Sequence, residues 1–197
     1  MRQYLASRTV VREAITTLTS RGLIENRPRF RPVVRKPDFQ NTLDAIDGSV
    51  KHLISQPAGV KNLYESRIFI ERMLVRDAAT SARKSDVESL TIALSKNKNA
   101  IKKPAEFYAT DMAFHHVLYR IPNNPIFPVL HHSYTAWLEP IWIKMPRSTE
   151  RNLVDFHSHE AIYNAILARD PDNAEAALSR HLNAAWEYVR AMIHEED

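Results

Sequence analysis

Apolar positions recur at helical spacing along almost the whole chain. Near the start, Val11, Ala14, Ile15 and Leu18 fall at i, i+3, i+4 and i+7, one face of a helix that Ser7 can cap and Gly22 can close. Leu23–Asn26 and Pro32–Arg35 then read as two short strands around the basic tip Arg27–Arg31. Past residue 38 no period-2 alternation is sustained. The spacing there predicts helices over residues 39–56, 60–83, 86–101, 104–121, 124–145, 149–169 and 171–194. Punctuation agrees with it. Pro104, Pro125 and Pro171 suit first-turn positions, Asn124 and Asp170 can cap the helices they precede, and Ser85-Asp86-Val87-Glu88 resembles a capping start. Pro37-Asp38 is the expected linker, extended by the proline rule. The fold class expected is all-α: a bundle of six to seven antiparallel helices over residues 38–197, behind a small head over residues 1–37.

Composition narrows the class. A chain of 197 residues with 44% hydrophobic residues can build one good core and a smaller satellite domain. No apolar run approaches the ~20 residues of a membrane span, no signal peptide is recognisable, and the absence of cysteine excludes disulfides and thiolate ligands. A bacterial cytoplasmic protein fits these features. Charge is divided unevenly. Residues 1–37 hold nine Lys/Arg against Glu13 and Glu25, a net +7, while the rest hold 18 against 21, a net −3. A basic head on a mildly acidic body is the footprint of a polyanion-binding module.

The head also carries suitable side chains. Arg8, Thr9 and Arg12 occupy the polar face of the first helical turns, as a major-groove reader requires, and Arg29 stands in the basic tip. An ordinary amphipathic surface helix is the alternative. In the body, Arg67 and Glu71 interrupt an apolar stripe at i, i+4. Spacing alone favours a pair on a solvated face over an arginine held for an anionic ligand. Asp111 and His115 share a helix face one turn apart. His159 and His181 lie symmetrically about the Asp170-Pro171 turn, so in an antiparallel hairpin both sit ~15 Å from it and face one another. One carboxylate and three imidazoles between helices suit a divalent transition metal. A hydrogen-bonded polar core cluster fits the spacing equally well. Other histidines fit less well: His116 leaves the face of His115, His157 points away from that of His159, and His52 and His194 read as solvated. His131 and His132 precede an aromatic helix and could line a cavity.

Two resemblances join these pieces. Residues 7–25, with Ser7-Arg8-Thr9-Val10-Val11-Arg12-Glu13-Ala14-Ile15 running into Arg21-Gly22-Leu23, resemble the winged helix-turn-helix of the GntR superfamily of bacterial transcription regulators. The resemblance implies that Arg8, Thr9 and Arg12 meet base edges and phosphates, and that the tip around Arg29 approaches the minor groove. From about residue 45 to 190 the body resembles the FCD effector domain attached to such heads. The carriers are Tyr64-Glu65-x-Arg67-x-x-x-Glu71, Asp111-x-x-Phe114-His115, His159-x-x-Ile162-x-x-Ala165-Ile166 with its Asp170-Pro171 turn, and His181-Leu182. That family holds a metal with Asp/His/His/His and binds small carboxylate effectors beside it. The resemblance therefore implies Asp111, His115, His159 and His181 as ligands and Arg67 as an effector contact; zinc is the preferred ion because imidazole-rich sites suit it. Shorter strings, Ile121–Phe127, Trp137-Leu138 and Asp170-Pro171-Asp172-x-Ala174 with His181-Leu182-Asn183, are similar to the sialic-acid-responsive repressor branch.

One departure stands out. A complete module of this kind has a first helix and most of a second before the reader, and only Met1–Ala6 precede it here. The winged helix is thus expected to be partial: either the sequence starts inside the module or the protein has lost part of its reader. Val11, Ile15 and Leu18 would then be exposed or covered by a partner chain, and operator binding would be weak and salt-sensitive. The expectation is a homodimeric, metal-containing regulator that binds double-stranded operator DNA under control of a small carboxylate. A metal-dependent hydrolase using the same four residues is the alternative. It finds little support, since Tyr163 stands where a zinc-protease helix needs its second histidine.

Overall fold

The computed structural model describes residues 6–35, 48–146 and 148–195. The chain divides into two compact units between Ser55 and Gln56. The expected linker at Pro37-Asp38, the boundary after residue 37, the first part of the 39–56 helix and residues Met1–Leu5 lie outside the described residues.

The first unit opens with α1 (Arg8–Ser20). Ser7 Oγ accepts the Val10 N–H at 3.3 Å, so the expected N-cap is in place. At the other end Gly22 takes φ 68°, with Gly22 N–H bonded to Thr19 O and Leu23 N–H to Leu18 O, each at 3.0 Å. This pair of bonds is a Schellman closure, and its left-handed residue is one that glycine adopts without a Cβ penalty. Two strands follow, β1 (Ile24–Glu25) and β2 (Val33–Val34), antiparallel with Ile24 opposite Val34 and Glu25 opposite Val33. They are shorter than the runs the sequence suggested. The intervening tip turns at Arg29 (φ 69°), and Glu25 is ion-paired with Arg27 and Arg35 across its base. No residue of α1 is buried: Val11 and Ile15 are half-buried, Ala14 and Leu18 exposed. A further helical segment, α2, spans residues 48–54.

The second unit is a helical bundle of α3 (Gly59–Ser81), α4 (Lys84–Ala100), α5 (Pro104–Arg120), α6 (Ile126–Trp142), α7 (Thr149–Leu167) and α8 (Pro171–Glu195). Most ends fall within two residues of the sequence reading, and the reasons for the differences are local. α4 starts earlier because Asp86 Oδ2 accepts the Arg83 N–H at 2.8 Å, which makes Asp86 the third helical residue. Asn124 Oδ1 accepts the Ile126 N–H at 3.0 Å ahead of α6, and α6 continues through Pro140. Asp170 caps α8 through the Asn173 N–H at 3.0 Å. α8 packs along α3 and α7, and α4 along α5. Small residues let these helices approach: Ala78 and Ala79 of α3 and Ala174 and Ala177 of α8 enter one core with Leu90, Phe114, Leu118, Ile162, Ile166, Leu178 and Leu182. Each large apolar side chain buried there contributes roughly 1.5–3 kcal/mol. Among the described residues no helix is long and apolar enough to cross a membrane.

Candidate metal centre

Three helices bring the four candidate residues together: α5 supplies Asp111 and His115, α7 supplies His159 and α8 supplies His181. One donor atom of each lies within 4.8 Å of the others. The three Nε2 atoms form a nearly equilateral triangle, His115–His181 3.2 Å, His159–His181 3.2 Å and His115–His159 3.3 Å. Asp111 Oδ1 is 3.3 Å from His159 Nε2. The histidines are buried.

The second nitrogens explain why the Nε2 atoms converge. His115 Nδ1–H donates to Glu71 Oε2 at 2.7 Å, and Glu71 Oε1 accepts from Arg67 Nε at 2.6 Å and from Tyr119 OH at 3.2 Å. On the other side, Thr110 donates its hydroxyl to Phe107 O at 2.8 Å, so its oxygen accepts from Asn97 Nδ2 at 3.1 Å. Asn97 Oδ1 is thereby turned toward His159 and accepts its Nδ1–H at 3.0 Å. Phe114 stacks on the same ring, 4.5 Å between centroids. With both Nδ1 atoms carrying protons, the Nε2 lone pairs of His115 and His159 face each other, and one N–H from His181 can satisfy only one of them. Nitrogens sharing a single tetrahedral ion at about 2.0–2.1 Å stand about 3.3 Å apart, which the triangle matches. The donor set fits a divalent metal.

Electrostatics agree. Burial alone would raise the Glu71 carboxyl, but Arg67 and His115 outweigh it and hold it well below the usual carboxylate range. Burial pushes Asp111 up to about 6. Burial, then the neighbouring imidazoles, hold His159 well below the ordinary histidine range, and burial followed by His115 does the same for His181. Neutral imidazoles are the ligand form.

The cluster opens on a cavity of about 120 Å³, where Arg67, Asp111, His115 and His181 meet Tyr108, Trp142, Arg151 and Asp155. The solvated reading of Arg67 and Glu71 is corrected here: they are 4% and 0% exposed, because Glu71 is turned inward onto His115. The Arg67 guanidinium also lies over the Trp142 ring, 5.2 Å from its centroid. His131 and His132 sit inside α6 and neither lines this cavity. His131 is buried against His116, Nδ1 to Nδ1 3.4 Å, while His132 is exposed. His52 and His157 are exposed, and the side chain of His194 lies outside the described residues. In the head, Arg8, Thr9, Arg12 and Arg29 are all exposed. Glu71 and Asn97 escaped the sequence reading as supports of the cluster. Only Glu71 left a signal, as a charge breaking an apolar stripe.

Residues 62–184 match the FCD domain family. The chain is 35% identical over 187 residues to the HTH-type transcriptional repressor NanR of Cronobacter sakazakii, covering 94% of this chain and 72% of that protein. It is 36% identical over 191 residues to the NanR repressor of an Enterobacter species, covering 94% and 74%. Its fold is similar to that of Streptococcus agalactiae GntR, with TM-score 0.62 and 18% identity over 94% of this chain and 83% of that one. It is also similar to E. coli McbR/YncC, with TM-score 0.58 and 16% identity over 95% and 87%. The chain belongs to the GntR-type transcriptional regulators with an FCD domain. Within that class it falls in the branch of the NanR repressors. It is therefore a regulator and not an enzyme, which removes the hydrolase alternative.

Proposed function

We propose that this chain is a DNA-binding transcriptional repressor whose operator affinity is set by a small carboxylate bound beside a divalent metal. The observation that carries the reading is the convergence of three imidazole Nε2 atoms and one carboxylate at the floor of a cavity that Arg67 also lines. Asp111, His115, His159 and His181 would hold the ion, and zinc suits an imidazole-rich set. When bound, the ion supplies a cationic, Lewis-acidic contact for a carboxylate. Arg67, fixed by Glu71 and Trp142, adds a guanidinium to the same cavity. The walls are largely aromatic and aliphatic, but Tyr108, Asp155 and Arg151 set polar groups among them that can meet the hydroxyls of a hydroxylated acid. The branch of the relatives makes a sialic acid or related sugar acid the first effector to try.

In this reading Arg8, Thr9 and Arg12 contact base edges and phosphates, Arg29 reaches the minor groove, and two chains pair to read two half-sites in the cytoplasm. The effector acts through its differential affinity for the DNA-competent and incompetent states.

The test is a thermal-stability titration of the zinc-loaded protein with N-acetylneuraminic acid and with its methyl ester. The free acid should stabilise, by about 2.7 kcal/mol at a hundredfold excess over its dissociation constant, and zinc removal should abolish most of the gain. An ester as effective as the acid contradicts the reading.

A further inference from the structure

The cavity contains a second charged pair that the four-donor cluster does not use. Arg151 and Asp155 stand one turn apart on α7 and line the same cavity as Arg67, Asp111 and His181. Arg151 Nε donates to Asp155 Oδ2 at 3.1 Å, and the guanidinium lies over the Tyr188 ring, 4.9 Å from its centroid. The side chains retain 26% and 18% of their exposure, so the pair is neither core packing nor a free surface bridge. Burial raises the Asp155 carboxyl, with Arg151 opposing the shift.

Charge decides what such a cavity can take. Among the described residues, Asp111 and Asp155 line the cavity with the guanidiniums of Arg67 and Arg151, and Glu71, buried behind Arg67, makes three carboxylates against two guanidiniums. A divalent ion brings this set to one net positive charge. One ligand carboxylate neutralises it, and a second overshoots. Asp155 can only accept hydrogen bonds when ionised, so it meets a hydroxyl or amide N–H favourably and a carboxylate unfavourably. Arg151 does not reverse this preference, because its Nε edge is already committed to Asp155 and the pair is neutral.

We propose that Arg151 and Asp155 form the selectivity subsite of this cavity, admitting a monocarboxylate whose other polar groups are hydroxyl or amide donors and rejecting a molecule with a second carboxylate. The inference rests on the carboxylate-at-metal reading above.

The test is calorimetric titration of the zinc-loaded full chain with D-gluconate and D-glucarate, which share a six-carbon hydroxylated chain and differ by one carboxylate. The wild type should prefer gluconate by about tenfold or more, a lower bound for a like-charge juxtaposition that solvent partly screens. Asp155→Asn, of equal shape without the charge, should narrow the preference to within about threefold, at unchanged zinc content. Asp155→Ser provides a second neutral replacement, and Arg151→Met should sharpen the rejection of glucarate. An unchanged preference in Asp155→Asn, or a failure of gluconate to bind, overturns the subsite. Binding of both acids that is indifferent to zinc removal overturns the underlying reading instead.

Discussion

Glu71 Oε2 lies 2.7 Å from His115 Nδ1, and neither side chain has any exposure to solvent. This one bond joins α3 to α5 and fixes the tautomer of His115, so that its Nε2 lone pair points at His159 and His181. It also accounts for the burial of Arg67, whose guanidinium neutralises Glu71 from the preceding turn.

Glu71→Gln keeps an acceptor near His115 but removes the charge and leaves Arg67 buried without its partner. Zinc affinity should fall by about 10–100-fold, the usual cost of losing an outer partner of a metal-binding histidine. Stability should fall by about 3–5 kcal/mol, as for a broken buried ion pair. Chelator competition and guanidinium melts measure the two effects, and unchanged affinity would show that Glu71 does not orient the ligand.

Asn97 makes the corresponding contact to His159, and Thr110 sets which way its amide faces. Asn97→Ala should therefore lower zinc affinity by about tenfold or more. Thr110→Val should lower it less, by letting the amide turn over. A larger loss from Thr110→Val than from Asn97→Ala would break this order of action.

Acid should release the metal in one window. The ion takes Asp111 as a carboxylate, and burial pushes that carboxyl up to about 6 in the ion-free protein. His159 and His181, held well below their ordinary range, are already neutral there. Protons thus compete through Asp111, and affinity is lost as pH falls through its raised value. Zinc affinity should be level from about pH 8 to 6.5 and decline about tenfold per unit below about 6. Asp111→Asn should flatten that decline.

On the head, Arg12→Ala should weaken binding to an operator fragment by about 1–3 kcal/mol and relax base preference, as for a base-edge contact. Arg29→Ala should instead reduce the salt slope by about one. Fluorescence anisotropy across a salt series separates the two, and identical slopes for both variants and the wild type would remove these residues from the DNA contact.

What the sequence made legible was what is local or symmetric. Ser7 and Gly22 bound α1 by side-chain and backbone chemistry acting within four residues. His159 and His181 could be paired because a two-helix hairpin turning at Asp170 leaves one possible register for equidistant residues. The burial of Glu71 was not legible. An Arg/Glu pair at i, i+4 reads the same on a wet face or a dry one, and its deciding partner, His115, lies 44 residues away. Asn97 was hidden for the same reason, 62 residues from His159 and inside a helix where asparagine usually faces solvent. The wing strands were overextended because alternation does not show where pairing stops; here it holds for two residues on each side.

The central claim is that Asp111, His115, His159 and His181 form a divalent metal centre. Elemental analysis of the protein purified without chelator, beside a His159→Ala/His181→Ala double variant, tests it most directly. The account predicts near one zinc per wild-type chain and almost none in the double variant. Equal metal content in the two proteins would contradict it.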